Sequence, residues 1–249
     1  MMNMKKIMPL LETLKLKGFK EYLNEIINDA EQNQLSYLKF LYNLLDAEIN
    51  DRAKKRLERN MAGAHFPVMK KLEAFRSEKV KGITKTNIAQ ILDFTWIDNH
   101  HNLLFFGPPG LGKTHLAIAL GIKAIESGYT VCFERITSLI KILKMSEIQR
   151  SSGFRLKRIL KSDLIIIDEI GYTPIDRKEA NLFFTLISEL YEKHSIIITS
   201  NKGFDSWAEM LGDSVMTTAL LDRLLHHAKI FTLDGESYRI KKQKEDNPS

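Results

Sequence analysis

A chain of 249 residues with 44% hydrophobic content is long enough for one large domain or for an ordinary domain plus a small accessory one, and it can supply a sizeable core, which excludes global disorder. Lys and Arg number 37 against 31 Asp and Glu, a net charge of +6, and the excess is segregated: ten basic residues against three acidic fall within 52–81 and seven against one within 141–161. These windows carry +7 and +6, leaving −7 for the remainder. A single cysteine, Cys132, excludes an internal disulfide and fits a reducing cytoplasm. No apolar stretch approaches the length needed to cross a bilayer. The start runs into Pro9, Glu12, Lys15 and Lys17 rather than a signal-peptide core, so a soluble, unprocessed, cytoplasmic protein is expected.

The first sixty residues read as helix. Phe19, Tyr22, Leu23, Ile26, Ile27 and Ala30 recur at three and four, as do Leu38, Leu41, Leu45 and Ile49. Ser36 is positioned as an N-cap, and the stripe gives way to the charged stretch 51–56, which reads either as a solvated face or as one meeting phosphate. Pro67 predicts a helix end within 62–67, because proline disfavours helical geometry in the preceding residue and lacks an amide hydrogen. Beyond residue 100, short apolar runs at 102–106, 129–133, 163–167, 195–199 and 229–233 alternate with helical stretches, the pattern of a parallel five-stranded sheet covered by helices. The crossover after the second run is longer than one helix needs, and Ser151-Ser152-Gly153 predicts a split into a helix pair at 136–162. The expected organisation is an all-α N-terminal domain at 1–65, a basic linker and nucleotide-covering segment at 66–101, and an α/β core at 102–249.

The chemistry concentrates after the first strand. Gly107, Pro108, Pro109, Gly110, Leu111, Gly112, Lys113 and Thr114 match a phosphate-binding loop, in the strand-loop-helix setting that the motif requires, with His115 next to it. Glycines let the backbone amides wrap a polyphosphate, and the following helix presents its positive end to the same anion. Lys113 is then expected to neutralise the β- and γ-phosphates of ATP, and the Thr114 hydroxyl to ligate Mg²⁺. A second buried run ends in Asp168-Glu169: Asp168 is the candidate for the Mg²⁺ shell, Glu169 for orienting or deprotonating the attacking water. Asn201, after another buried run, is a candidate donor to the γ-phosphate or to that water. The histidine pairs His100-His101 and His226-His227 are expected to point apart and make poor metal sites, and Trp96 and Trp207 to be packing residues.

These motifs, on strands in this order, resemble the AAA+ ATPases, and the helix pair between the second and third strands resembles the initiator branch, with its replication initiators and helicase loaders. Leu35-Ser36-Tyr37, Phe66-Pro67, the loop through Ala117, Leu221-Asp222-Arg223-Leu224-Leu225-His226-His227 and Gly235-Glu236-Ser237-Tyr238-Arg239 are similar to the IstB-type transposition helper ATPases over nearly the whole chain. The resemblance implies a three-layer P-loop AAA+ ATPase core. It implies that Arg223 is an arginine finger entering the ATP site of a neighbouring subunit. At about 100° per residue this arginine lies roughly 130° from the centre of the Leu220, Leu221, Leu224, Leu225 face, pointing away from the core. Arg239 resembles the second sensor arginine, although the ten residues after it are too few for a C-terminal helical lid, which is expected to be absent. Phe75 or Ile83 covers the adenine by analogy.

The implied function is a DNA-stimulated ATPase that multimerises on duplex DNA with Mg·ATP, largely independent of sequence, and stimulates a cognate transposase, with the N-terminal helices as the partner surface. Candidate DNA contacts are Lys141, Lys144, Arg150, Arg155, Lys157, Arg158 and Lys161 on the inserted pair, and Arg52, Lys55, Arg56 and Arg59 on the N-terminal helices. Two alternatives stay open: a replicative helicase loader of the same branch, and a nucleotide-gated interaction module with little turnover.

Overall fold

Hydrophobic periodicity in the first sixty residues produces helices, and the computed structural model, which describes residues 4–171 and 174–238, divides the chain at Asn60/Met61 into a helical unit and a larger α/β unit. The helical unit holds α1 (Met4–Thr13), α2 (Lys17–Gln32) and most of α3 (Tyr37–Ala64), whose last turn belongs to the second unit. Leu11, Leu23 and Leu44 form its small core, with Phe19, Ile26 and Phe40 packed against them. Ser36 caps α3, its hydroxyl accepting from the Lys39 amide at 3.3 Å. Pro9 does not break α1: Met4, Ile7, Met8 and Leu11 pack into the core, and that burial outweighs one missing ladder hydrogen bond. Gly18 lets α2 and α3 cross closely, since a Cβ there would lie 2.7 Å from the Glu48 Cα. The buried Glu48 carboxylate accepts from the Phe19 amide at 3.0 Å and from Arg52 Nε at 2.6 Å. Lys55 likewise pairs with the buried Asp51 at 2.7 Å, so two of the four basic side chains singled out on α3 already have carboxylate partners.

The second unit is a three-layer sandwich. After the short helices α4 (Lys85–Ile91) and α5 (Thr95–Asp98), its parallel sheet comprises β1 (Asn102–Phe106), β2 (Val131–Arg135), β3 (Leu164–Ile170), β4 (Ser195–Ser200) and β5 (Ala228–Thr232), in the order β2-β3-β4-β1-β5. Connecting them are α6 (Lys113–Glu126), α7 (Ile136–Met145), α8 (Arg150–Ile159), α9 (Arg177–Leu190), α10 (Trp207–Leu211) and α11 (Ser214–Leu225). The period of two sorts each strand's side chains. Leu103, Phe105, Ile166 and Ile197 pack with α6, whereas Leu104, Phe106, Ile165, Ile167 and Ile198 pack with α7, α9 and α11. Trp96 and Trp207 are buried packing residues, and Cys132 is fully buried, which pushes its thiol pKa up. No helix among the described residues is long and apolar enough to cross a membrane.

The inserted pair departs from expectation in two ways. The break between α7 and α8 falls at residues 146–149, not at 151–153. Gly153 sits inside α8 because it packs against the Ser146 carbonyl, where a Cβ would lie only 2.9 Å away. And Arg155, expected to meet DNA, is spent inside the protein. Its Nε pairs with Glu134 at 2.5 Å and its Nη atoms donate to the carbonyls of Gly63 at 2.9 Å and Phe133 at 3.0 Å, with both side chains about 10% exposed. The Arg158 guanidinium lies against Gly63, where any Cβ would collide with it. These two arginines hold the last turn of α3 onto β2 and α8. Lys144 pairs with Glu179 at 2.8 Å, a hydrogen bond that raises the lysine pKa, while Lys141, Arg150, Lys157 and Lys161 are exposed.

Removing one partner of a buried ion pair leaves the other charge uncompensated. Arg155→Ala is therefore expected to destabilise the protein by about 3 kcal/mol in urea unfolding, whereas Lys157→Ala leaves the midpoint unchanged.

Candidate nucleotide site

The phosphate-binding loop joins β1 to α6 and lies at the C-terminal ends of the strands, where ligands bind in open α/β sheets. Gly107 and Gly112 hold φ values of +136° and +88°, a region open to glycine, and a Cβ on Gly107 would sit 2.1 Å from the Leu233 carbonyl. Lys113 Nζ donates to the carbonyls of Gly107 at 2.5 Å and Pro108 at 2.8 Å, while Leu111 is buried in the core. A cavity of about 620 Å³ opens over the loop, lined by Pro109, Gly110, Gly112, Lys113, Thr114 and His115 and by Arg135, Glu169, Thr199 and Asn201.

Behind the lining residues Thr114 and Thr199, Asp168 is fully buried. Its Oδ1 accepts two hydroxyl hydrogen bonds, from Thr114 at 2.8 Å and Thr199 at 2.6 Å, and its Oδ2 is buried with no hydrogen-bond partner. A buried carboxylate oxygen without a donor is costly unless a cation meets it, so Thr114 and Asp168 fit a Mg²⁺ ion. The next residue, Glu169, breaks the strand's regularity. The β3–β4 register shifts between Ile167 and Ile170, and Glu169 adopts φ +64°, a left-handed conformation rare for a residue with a side chain. The Thr199 hydroxyl accepts the Glu169 amide at 3.0 Å, which secures the bulge. The bulge turns the Glu169 side chain into the cavity, 3.5 Å from Arg135 Nε. Strain of this kind clusters at functional sites.

Asn201 lines the cavity with its Oδ1 buried and unpartnered. His115 also lines it, with its Nε2 2.8 Å from the Lys71 carbonyl. Phe75 and Tyr238 bring aromatic surface to the rim. Phe75 lies over Gly112, and the Tyr238 hydroxyl donates to the Arg76 carbonyl at 3.0 Å, its pKa raised by burial. Ile83, offered as an adenine cover, is instead buried in the core and absent from the cavity lining. Sequence reasoning does not single out Arg135 and Thr199, which reach the site through the parallel pairing of β2, β3 and β4. Arg239 lies outside the described residues.

Arg223 is elsewhere. It folds half-buried onto α9, 4.8 Å over the Phe184 ring, and donates to the Ala219 carbonyl at 2.8 Å. Its neighbours include His100, Asn102, His194 and Ile196, at the N-terminal ends of β1 and β4. The cavity and Arg223 thus occupy opposite ends of the sheet.

A glycine loop opening a helix, a buried aspartate beneath it and a glutamate turned into the same cleft define a P-loop nucleotide-binding protein of the AAA+ fold. The family profile for IstB-like ATP binding proteins matches residues 9–246, and the chain belongs to that family. It is 40% identical over 235 residues to the insertion sequence IS21 ATP-binding protein of Pseudomonas aeruginosa, covering 94% of this chain and 89% of that one. It is 39% identical to the insertion sequence IS5376 ATP-binding protein of Geobacillus stearothermophilus, covering 86% of each. Among solved structures, that of DnaI superposes with a TM-score of 0.55 over 66% of this chain and 91% of that chain at 16% identity, a likeness of fold.

Asp168→Asn keeps the shape and removes the charge. Magnesium-dependent tightening of ATP binding, read by titrating a fluorescent ATP analogue with and without Mg²⁺, is expected to fall by roughly tenfold.

Proposed function

We propose that the chain is an ATPase that assembles on duplex DNA with Mg·ATP and stimulates a cognate transposase. In this reading the loop amides and Lys113 bind the β- and γ-phosphates, Glu169 takes the proton of the attacking water, and Asn201 orients that water. Mg²⁺, held by Thr114 and Asp168, supplies charge neutralisation on the phosphate oxygens. The relatives' names, insertion-sequence ATP-binding proteins, support the link to transposition.

The observation that carries the assembly is the separation of Arg223 from the cleft of its own chain. An arginine at the N-terminal ends of the strands meets a nucleotide only in a second copy, so finger chemistry requires self-association. Arg223→Ala is expected to bind ATP as tightly as the unaltered protein and to lose DNA-stimulated phosphate release by at least about 10³-fold; unimpaired turnover sinks the assignment. Sizing with a non-hydrolysable ATP analogue, with and without duplex DNA, tests assembly. Growth only with both supports the proposal, a monomer throughout removes it, and growth on single strands in preference to duplex favours helicase loading instead.

The exposed Lys141, Arg150, Lys157 and Lys161 are the remaining candidates for phosphate contact on the inserted pair, together with the exposed Arg56 and Arg59 on α3. Each phosphate contact contributes about 0.9 to the slope of log affinity against log salt. Lys157→Ala with Lys161→Ala is expected to flatten that slope by nearly two, measured by fluorescence anisotropy on duplexes of unrelated sequence.

A further inference from the structure

The two histidine pairs expected to point apart are brought together by the sheet. His100-His101 immediately precedes β1 and His226-His227 immediately precedes β5, and these strands pair in parallel with Asn102 opposite Ala228. The dipeptides therefore meet at one end: the His101 and His227 rings stack at 5.1 Å and 16°, and the His226 and His227 centroids lie 4.1 Å apart. Glu192, in the turn after α9, stands at the same corner. It is held at φ +56°, with its Oε1 3.6 Å from His226 Nδ1 and 3.9 Å from His227 Nε2.

We propose that Glu192, His226 and His227 form a binding site for a divalent transition metal ion of the zinc class. One donor atom from each lies within 4.8 Å of the other two, and all three side chains are exposed to an ion arriving from solvent. Zinc bonds of about 2.0–2.1 Å separate tetrahedral donors by about 3.3 Å, so donors that now lie within 4.8 Å of one another must draw in by up to about 1.5 Å, which rotamer changes of exposed side chains can supply. Two imidazoles with one carboxylate suit zinc and its borderline neighbours. Mg²⁺ and Ca²⁺ prefer all-oxygen shells, so this corner and the Asp168 site select different ions. The stack on His101 fixes the plane of the His227 ring, the orienting role that outer groups play around metal ligands. The Tyr191 hydroxyl, 2.6 Å from His226 Nδ1, competes with the ion for that nitrogen. Bound metal would tie the turn after α9 to the end of α11, one helical turn beyond Arg223.

The test uses the full-length protein without a histidine tag, stripped with chelator and titrated with Zn²⁺ by calorimetry, with thermal unfolding followed in parallel. One equivalent bound, with a raised unfolding temperature, is expected. Glu192→Gln and His227→Ala should each weaken binding by at least about tenfold, and Tyr191→Phe should bind as tightly or more tightly. Because Glu192 is exposed, Glu192→Gln tests the site even where a histidine replacement fails to fold. Absence of stoichiometric uptake, or equal affinity in the Glu192→Gln, His227→Ala double variant, overturns the proposal.

Discussion

The carboxylate of Asp168 is the constraint on which the rest of the site depends. It is a fully buried charged group on a strand whose other residues, Glu169 apart, are isoleucine and leucine. The fold tolerates it because two hydroxyls converge on one oxygen, Thr114 from α6 and Thr199 from β4. That arrangement pins loop helix, third strand and fourth strand in one mutual position. The same Thr199 hydroxyl accepts the next backbone amide, so the bulge that turns Glu169 into the cleft is a direct result of how its neighbour is satisfied.

A second corner is organised around Arg155, and the two are one residue apart along β2. Glu134 and Arg135 point to opposite sides, as neighbours on a strand must. Glu134 reaches the clamp that secures the last turn of α3, and Arg135 reaches Glu169. A displacement of this strand end is felt at the Glu169 carboxylate and at the clamp together.

What was legible in the sequence was local. The loop, the acidic pair and the strand cores are written in contiguous residues, and apolar runs bounded by glycine or acid identify them without partners. What escaped depends on residues distant in the chain. Arg155 reads as a free cation until Glu134 and the Gly63 carbonyl, 21 and 92 residues away, claim it. Gly153 reads as a helix breaker until the Ser146 carbonyl is seen to need the space. Arg135, Thr199 and Tyr238 enter the cleft through the parallel pairing and the closing turn, which no local pattern encodes. The stacking of His101 on His227 is equally hidden, since only the registry of β1 with β5 makes them neighbours.

Cys132 has a practical corollary. As the chain's only thiol it lies on β2, fully covered, and burial keeps it protonated and slow toward alkylating reagents. The molecule is in effect thiol-silent. A cysteine placed at an exposed position would carry a dye, spin label or cross-linker with little background from the native residue, so distances can be read without first rebuilding the core.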